Sequence, residues 1–337
     1  MKHKIAASLC AAAAMVFLIC VTIFGEAPTI TQDDLNNITN REVMEKIADV
    51  MLKDAGREGD VSPEDVVKID VLYGDFTGEG KKQAVISADF GPRYTIVSVY
   101  EDNNGKYRFV GEVGVFTDTA DLRVVSLQNK NRDAIFINEI LNEKIGAFEK
   151  LEYDKGYIWA DESQKFVNIF NYPVRIRADW NMTWSTSSTE APSQWERVTQ
   201  TTKSILENGN NPVIRSRFHQ EYLTSSDTNA LNIPLDNTYT LVRERDIERN
   251  FYWNDDWNAF IIDEMIENST GEKVAVLVLW SDLPYSLAEY SEDEEENTPG
   301  YENLVRIRRK DGTTAVVNIN TLSAIKNDKR NTTGASV

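Results

Sequence analysis

Tyr73-Gly74-Asp75-Phe76-Thr77-Gly78-Glu79-Gly80-Lys81-Lys82-Gln83-Ala84-Val85-Ile86 joins two apolar runs through a glycine-rich loop, and its reading decides the fold. Ile69 to Phe76 nearly alternates β-branched and aromatic residues with polar ones, and Gly78 and Gly80 end it ahead of a second run, Ala84 to Ala88. Gly91-Pro92 closes that run. Tyr94 to Tyr100 alternates again, and Asp102-Asn103-Asn104-Gly105 is a hairpin signal because Asn and Gly tolerate the positive φ of tight β-turns. Tyr107 to Val113 returns as a fourth strand, so Ile69 to Gly114 is predicted to be one four-stranded antiparallel unit.

Within the first loop, Asp75, Thr77 and Glu79 place side-chain oxygens at positions one, three and five, with Gly80 at six. Ca²⁺ collects oxygens at about 2.3–2.6 Å and needs a residue without a side chain where such a loop turns sharply. The stretch resembles an FG-GAP or VCBS-type propeller repeat, whose usual text is Gly-Asp-Phe-Asn-Gly-Asp-Gly followed by Lys and an acidic residue. That resemblance implies a β-propeller blade and a calcium loop with Asp75, Thr77 and Glu79 as ligands. Thr77 and Glu79 replace shorter acidic or amide ligands, and Gln83 stands where the family has Asp. A metal-free turn capped by Asp75 is the other reading of the same residues.

A shift of roughly fifty residues, the scale of propeller blades, pairs Lys82-Gln83-Ala84-Val85-Ile86 with Arg132-Asp133-Ala134-Ile135-Phe136. Leu122 to Ala160 then reads as a second copy, although its loop, Gln128-Asn129-Lys130-Asn131, keeps neither glycine nor acidic ligand. A weaker echo runs from Ser269-Thr270-Gly271-Glu272-Lys273 through Val274 to Trp280, Leu304 to Ile307 and Thr314 to Ile319. The predicted fold is mainly β: four-stranded antiparallel repeat units over 62–326, packed as in a propeller, behind a short amphipathic helix and an N-terminal transmembrane helix.

That N-terminal helix is read from Ile5 to Phe24, an apolar run without an ionised residue, after Lys2 and Lys4 and before Glu26, Asp33 and Asp34. Its length suits a hydrocarbon core of about 30 Å, and its flanks put the N-terminus in the cytoplasm and the remainder outside. Residues 1–25 form a signal anchor, or a signal peptide if cleavage at Gly25 or Ala27 releases a secreted chain. Both cysteines, Cys10 and Cys20, lie inside this segment, so the exported part has no disulfide, thiol nucleophile or cysteine metal site. Residues 26–61 hold a polar tether to Asn40 and then the amphipathic helix, with Val43, Ile47, Val50 and Met51 on one stripe and Gly56 ending it. Residues 327–337 read as a disordered polar tail.

The middle of the chain is less regular. Phe166 to Asp179 reads as strand, turn and strand around Tyr172-Pro173, Ser193 to Leu206 as a helix, and Arg243-Glu244-Arg245-Asp246-Ile247-Glu248-Arg249 as a solvated charged face. Trp180 and Trp184, with Trp253 and Trp257 further on, are candidate sugar-stacking residues, the alternative being core. The run Glu292-Asp293-Glu294-Glu295-Glu296 reads as an exposed loop.

Chemistry is constrained mostly by what is missing. Outside the N-terminal segment, 34 basic residues face 54 acidic ones, a formal charge of −20 that disfavours nucleic acid. His219 is the sole histidine beyond His3, so no multi-histidine zinc site can form, and no Gly-x-Ser-x-Gly elbow accompanies it. No residue stands out as a catalytic group. The expected function is a non-enzymatic, membrane-anchored extracytoplasmic protein that binds or scaffolds a protein or glycan. The alternative is a cell-surface glycoside hydrolase with paired carboxylates drawn from Asp255, Asp256, Asp263 and Glu264.

Overall fold

Antiparallel pairing between strands builds three sheets in the computed structural model, which describes residues 28–91, 93–145, 147–181, 194–227, 232–288 and 301–325. The first sheet has the order β1-β5-β4-β3-β2, from β1 (Ile30–Thr31), β2 (Lys68–Gly74), β3 (Gln83–Asp89), β4 (Thr95–Asn103) and β5 (Lys106–Phe116). The second runs in chain order through β6 (Thr119–Leu127), β7 (Arg132–Ile145), β8 (Ala147–Ala160), β9 (Lys165–Asn181), β10 (Trp195–Glu207), β11 (Val213–Ser225), β12 (Thr240–Asn254) and β13 (Ala259–Ile261). The third, ordered β17-β16-β15-β14-β18, comprises β14 (Asp263–Glu267), β15 (Lys273–Leu279), β16 (Leu304–Arg308), β17 (Thr314–Asn318) and β18 (Leu322–Ala324).

The first sheet is covered on both faces, which explains why Ala84 to Ala88 is almost continuously apolar. Ala84, Ile86 and Ala88 face helix α2 (Arg41–Asp54), whose Ile47, Ala48 and Met51 are fully buried. Val85, with Val97 and Val99 of β4, packs instead on Ile135 and Ile137 of β7. Asn40 caps α2 by accepting from the backbone N–H groups of Glu42 and Val43 at 2.9 and 3.4 Å. The predicted tether is docked as well: Ile30 pairs with Tyr107, is fully buried, and leads into α1 (Gln32–Asn36) through a Thr31–Asp34 capping box.

Mainly antiparallel β structure is therefore observed, but its subdivision differs from the predicted one. β2 to β5 form the expected four strands. Residues 119–261 form one eight-stranded sheet in place of separate four-stranded units, because β7 to β12 run 13 to 17 residues and each bonds to the strand before and after it. Phe166 to Asp179 is a single strand; Pro173 sits at a register shift, a place where a missing N–H is tolerated. Of the helix expected over Ser193 to Leu206, the described residues from Trp195 onward are strand, since β10 is hydrogen-bonded to β9 and β11 and Val198, Thr199, Thr201 and Thr202 suit a pleated surface. The apolar segment 5–24, Trp184, the acidic run 292–296 and the tail 327–337 lie outside the described residues. Among the described residues no helix is long and apolar enough to cross a membrane.

The charged stretch of β12 also divides. With a period of two, Glu244, Asp246 and Glu248 face solvent while Arg245 and Arg249 turn inward. There they hold the chain between β15 and β16. Arg249 pairs with Asp282 through Nε and Nη2, both at 2.7 Å, and Asp282 is almost fully buried. Arg245 donates to the carbonyls of Ser281 and Leu283, each at 2.9 Å, and to Gln220 Oε1 at 2.7 Å. Gln220 reaches Gln200, and Gln200 the carbonyl of Pro173, so one polar line crosses four strands. Asp282→Ala leaves Arg249 inward-facing without its carboxylate and is expected to destabilise the fold by about 3 kcal/mol, measured by chemical denaturation. A loss below about 1 kcal/mol, the scale of exposed ion pairs, would place the anchoring elsewhere.

Candidate functional site

Backbone and side-chain groups close the Asp75 loop on itself. Asp75 Oδ1 accepts from Gly78 and Glu79 N–H at 2.9 and 3.1 Å, and Oδ2 from Gly80 N–H at 2.8 Å. Gly78 and Gly80 have φ of 76° and 72°, a conformation that side-chain-bearing residues rarely adopt. Gln83, fully buried, accepts from Phe76 and Thr77 N–H and donates to Thr77 Oγ1 at 2.8 Å. Glu79 pairs with Lys81 at 2.8 Å. Of the three candidate calcium ligands, only Asp75 sits at the loop centre; Thr77 serves Gln83 and Glu79 serves a lysine.

The tryptophans pack. Trp253 and Trp257 are each 8% exposed. Trp253 stands edge-on to Phe260, donates to Asp255 Oδ1 at 2.9 Å and has Lys130 Nζ 5.1 Å from its ring centre. Trp257 donates to Glu264 Oε1 at 2.7 Å beneath Lys310 Nζ at 3.8 Å. Trp180 is half-buried against the cluster of Ala178, Val198, Tyr222 and Leu287. Sugar stacking needs an open ring face, which the packing and overlying cations take from Trp253 and Trp257. Among the proposed acids, Asp255 is held below its ordinary range by hydrogen bonds from Lys130 and then Trp253, the opposite of what a general acid requires. Glu264 receives the Trp257 indole, and Asp263 accepts from the Glu264 backbone.

His219, Glu221 and Glu244 bring donor atoms within 4.8 Å of one another on the outer face of β11 and β12. Two of the three are engaged elsewhere: His219 Nδ1 with Asp246 at 3.1 Å, and Glu221 Oε2 with Thr199 Oγ1 at 3.0 Å. This is the surface face of a charged cross-strand ladder.

The larger opening lies between the second and third sheets, a cavity of about 550 Å³, within the roughly 300–1,000 Å³ of small-molecule sites. Strand alternation builds one wall. Val305 and Ile307 of β16 enter the core of the third sheet, which turns Arg306 and Arg308 to the cavity beside Val316 and Thr314, their register partners on β17. On β15 the register slips between Val276 and Val278, and the intervening Leu277 reaches the cavity. Across from them, Phe170, Phe251 and Phe260 form an edge-to-face aromatic floor, with centroid separations of 5.1 and 6.2 Å about Phe170. A slip between Gly156 and Tyr157 leaves Ile169 of β9 as the extra residue, bridged by Asn168 Nδ2 to the carbonyls of Gly156 and Phe170.

Electrostatically the wall is uncompensated. Arg308 is half-buried, and its Nη1 and Nη2 reach only the Asn168 carbonyl, both at 3.4 Å. Burial lowers its guanidinium pKa from the ordinary value. Arg306 lies 5.7 Å over the Trp280 ring. No carboxylate among the described residues is ion-paired with either, and the buried Oδ1 of Asn171 on the same lining lacks a hydrogen-bond partner there. Sequence reasoning misses this site because it reads Leu304 to Ile307 only as a strand, which stops short of Arg308. Its signal was a charge at every second position on a strand in an otherwise acidic chain.

Two outcomes follow from this geometry. Asp75→Ala removes an acceptor of three backbone N–H groups and is expected to lower stability by about 1–3 kcal/mol, equally with calcium or with chelator, by thermal unfolding; a loss confined to calcium would show that the loop reorganises around an ion. Arg308→Met removes a half-buried charge that has no counter-ion and is expected to raise stability by about 1 kcal/mol, roughly 2 °C in Tm. A fall of similar size would show that Arg308 serves the fold. The chain matches no protein-family model and no curated protein, so the site is read from its geometry alone.

Proposed function

We propose that this chain is a non-enzymatic extracytoplasmic binding protein, held to the membrane by its N-terminal apolar segment, with its ligand between the second and third sheets. One observation carries the reading: a cavity of ligand size whose wall presents Arg308 without a counter-charge. A folded chain gains nothing from burying a lone guanidinium, so the arrangement suits a group supplied from outside. The membrane part rests on the length of the 5–24 run and the basic flank at Lys2 and Lys4. The likeness to an FG-GAP or VCBS repeat enters as kinship of β2 to β5 in the first sheet, whose strand order and Asp75 loop fit it. The hydrolase reading lacks comparable support, since Asp255 is held ionised by Lys130.

The test is ligand-observed NMR screening of small molecules against the full chain in lipid nanodiscs, with empty discs as control. Compounds are expected to bind reversibly, to be recovered unchanged, and to lose binding in Thr314→Trp, which fills the cavity from β17. Hits that survive this substitution would move the site elsewhere, and a compound returned hydrolysed would favour an enzyme.

A further inference from the structure

Resting on that reading, we infer that the cavity takes a small monoanionic organic acid, its carboxylate on the β16 arginines and its apolar body on the phenylalanine floor. Arg308 offers a planar fork whose sole partner among the described residues is a carbonyl at 3.4 Å, longer than the distances of a well-formed N–H···O bond. A carboxylate would give that fork the charge-assisted bidentate pairing for which guanidinium geometry is suited. Arg306 lies two residues away on the same strand face, about 7 Å along the backbone, so both arginines line the same wall of the cavity.

Two features argue for one negative charge on an apolar body. Phe170, Phe251, Phe260, Leu277 and Val316 give a ligand's body apolar contact, and the other polar side chains of the lining, Tyr157, Asn168, Asn171 and Thr314, are uncharged, so no charged partner is available away from the β16 arginines. The chain as a whole has a formal charge of −18, a field that repels a polyanion more strongly than a monoanion.

The experiment is calorimetric titration of the full chain in nanodiscs with 3-phenylpropionate, its neutral amide 3-phenylpropionamide, phenyl phosphate and inorganic phosphate. The acid is expected to bind at least tenfold more tightly than the amide, and the difference to vanish in Arg308→Gln and shrink in Arg308→Lys. Circular dichroism of both variants and retained amide binding separate loss of the charge from loss of the fold, and Arg306→Gln is the second variant should Arg308→Gln unfold. Equal binding of acid and amide would overturn the anion assignment while leaving a binding cavity. Tighter binding of phenyl phosphate or free phosphate would overturn the carboxylate assignment. Binding of none of the four would overturn the inference, and the Thr314→Trp comparison then decides independently whether the cavity binds anything.

Discussion

The pairing of Arg249 with Asp282 holds the second and third sheets to one another. β12 belongs to the eight-stranded sheet, whereas Asp282 lies between β15 and β16 of the third, so this bidentate contact crosses from one to the other. It alone would be a doubtful source of stability, since desolvating two charges offsets most of their attraction. What makes it effective is the company it keeps. Gln200, Gln220 and Arg245 satisfy the carbonyls of Pro173, Ser281, Asp282 and Leu283, so the turn after β15 descends onto the sheet with its polar groups paired.

That anchoring positions the cavity. β15 and β16 flank the anchored segment, and they carry Leu277, Arg306 and Arg308. The floor comes from β9, β12 and β13, so neither sheet alone has a site. Two register slips shape it, one at Leu277 and one at Ile169, each adding a residue to one strand of an otherwise regular pair. Bulges of this kind redirect side chains that strict alternation would send elsewhere.

Local pattern made parts of this legible. The four strands from Lys68 to Phe116 were readable because alternation and turn residues agree there, and α2 because Asn40 and Gly56 bound a clean apolar stripe. β10 was misread because Ser193 to Leu206 has no strong period, and its strand state comes from hydrogen bonds to neighbours distant in sequence. In Arg243 to Arg249, alternating charge was visible, but which sign faces inward depends on Asp282 and Gln220, which sequence spacing cannot bring together. The cavity was invisible for the same reason: Arg308 lies 140 residues from the Asn168 carbonyl it meets.

Three neighbouring arginines show why Arg308 stands apart. Arg249 has Asp282, Arg309 has Glu267 at 2.7 and 3.1 Å, and Arg245, though burial lowers its pKa, has carbonyls, a glutamine and a serine hydroxyl for its donors. Each of these guanidinium groups has strong acceptors, whereas the two long contacts of Arg308 share one carbonyl oxygen and Arg306 lies over the Trp280 ring. The acidic chain has carboxylates in excess, so composition does not explain the omission. A site meant to hold an outside anion must withhold its own, because an internal carboxylate at the same guanidinium would compete at an effective concentration that a free ligand rarely reaches. The missing partner is therefore the feature that sets this arginine apart from structural ones on the same pair of sheets.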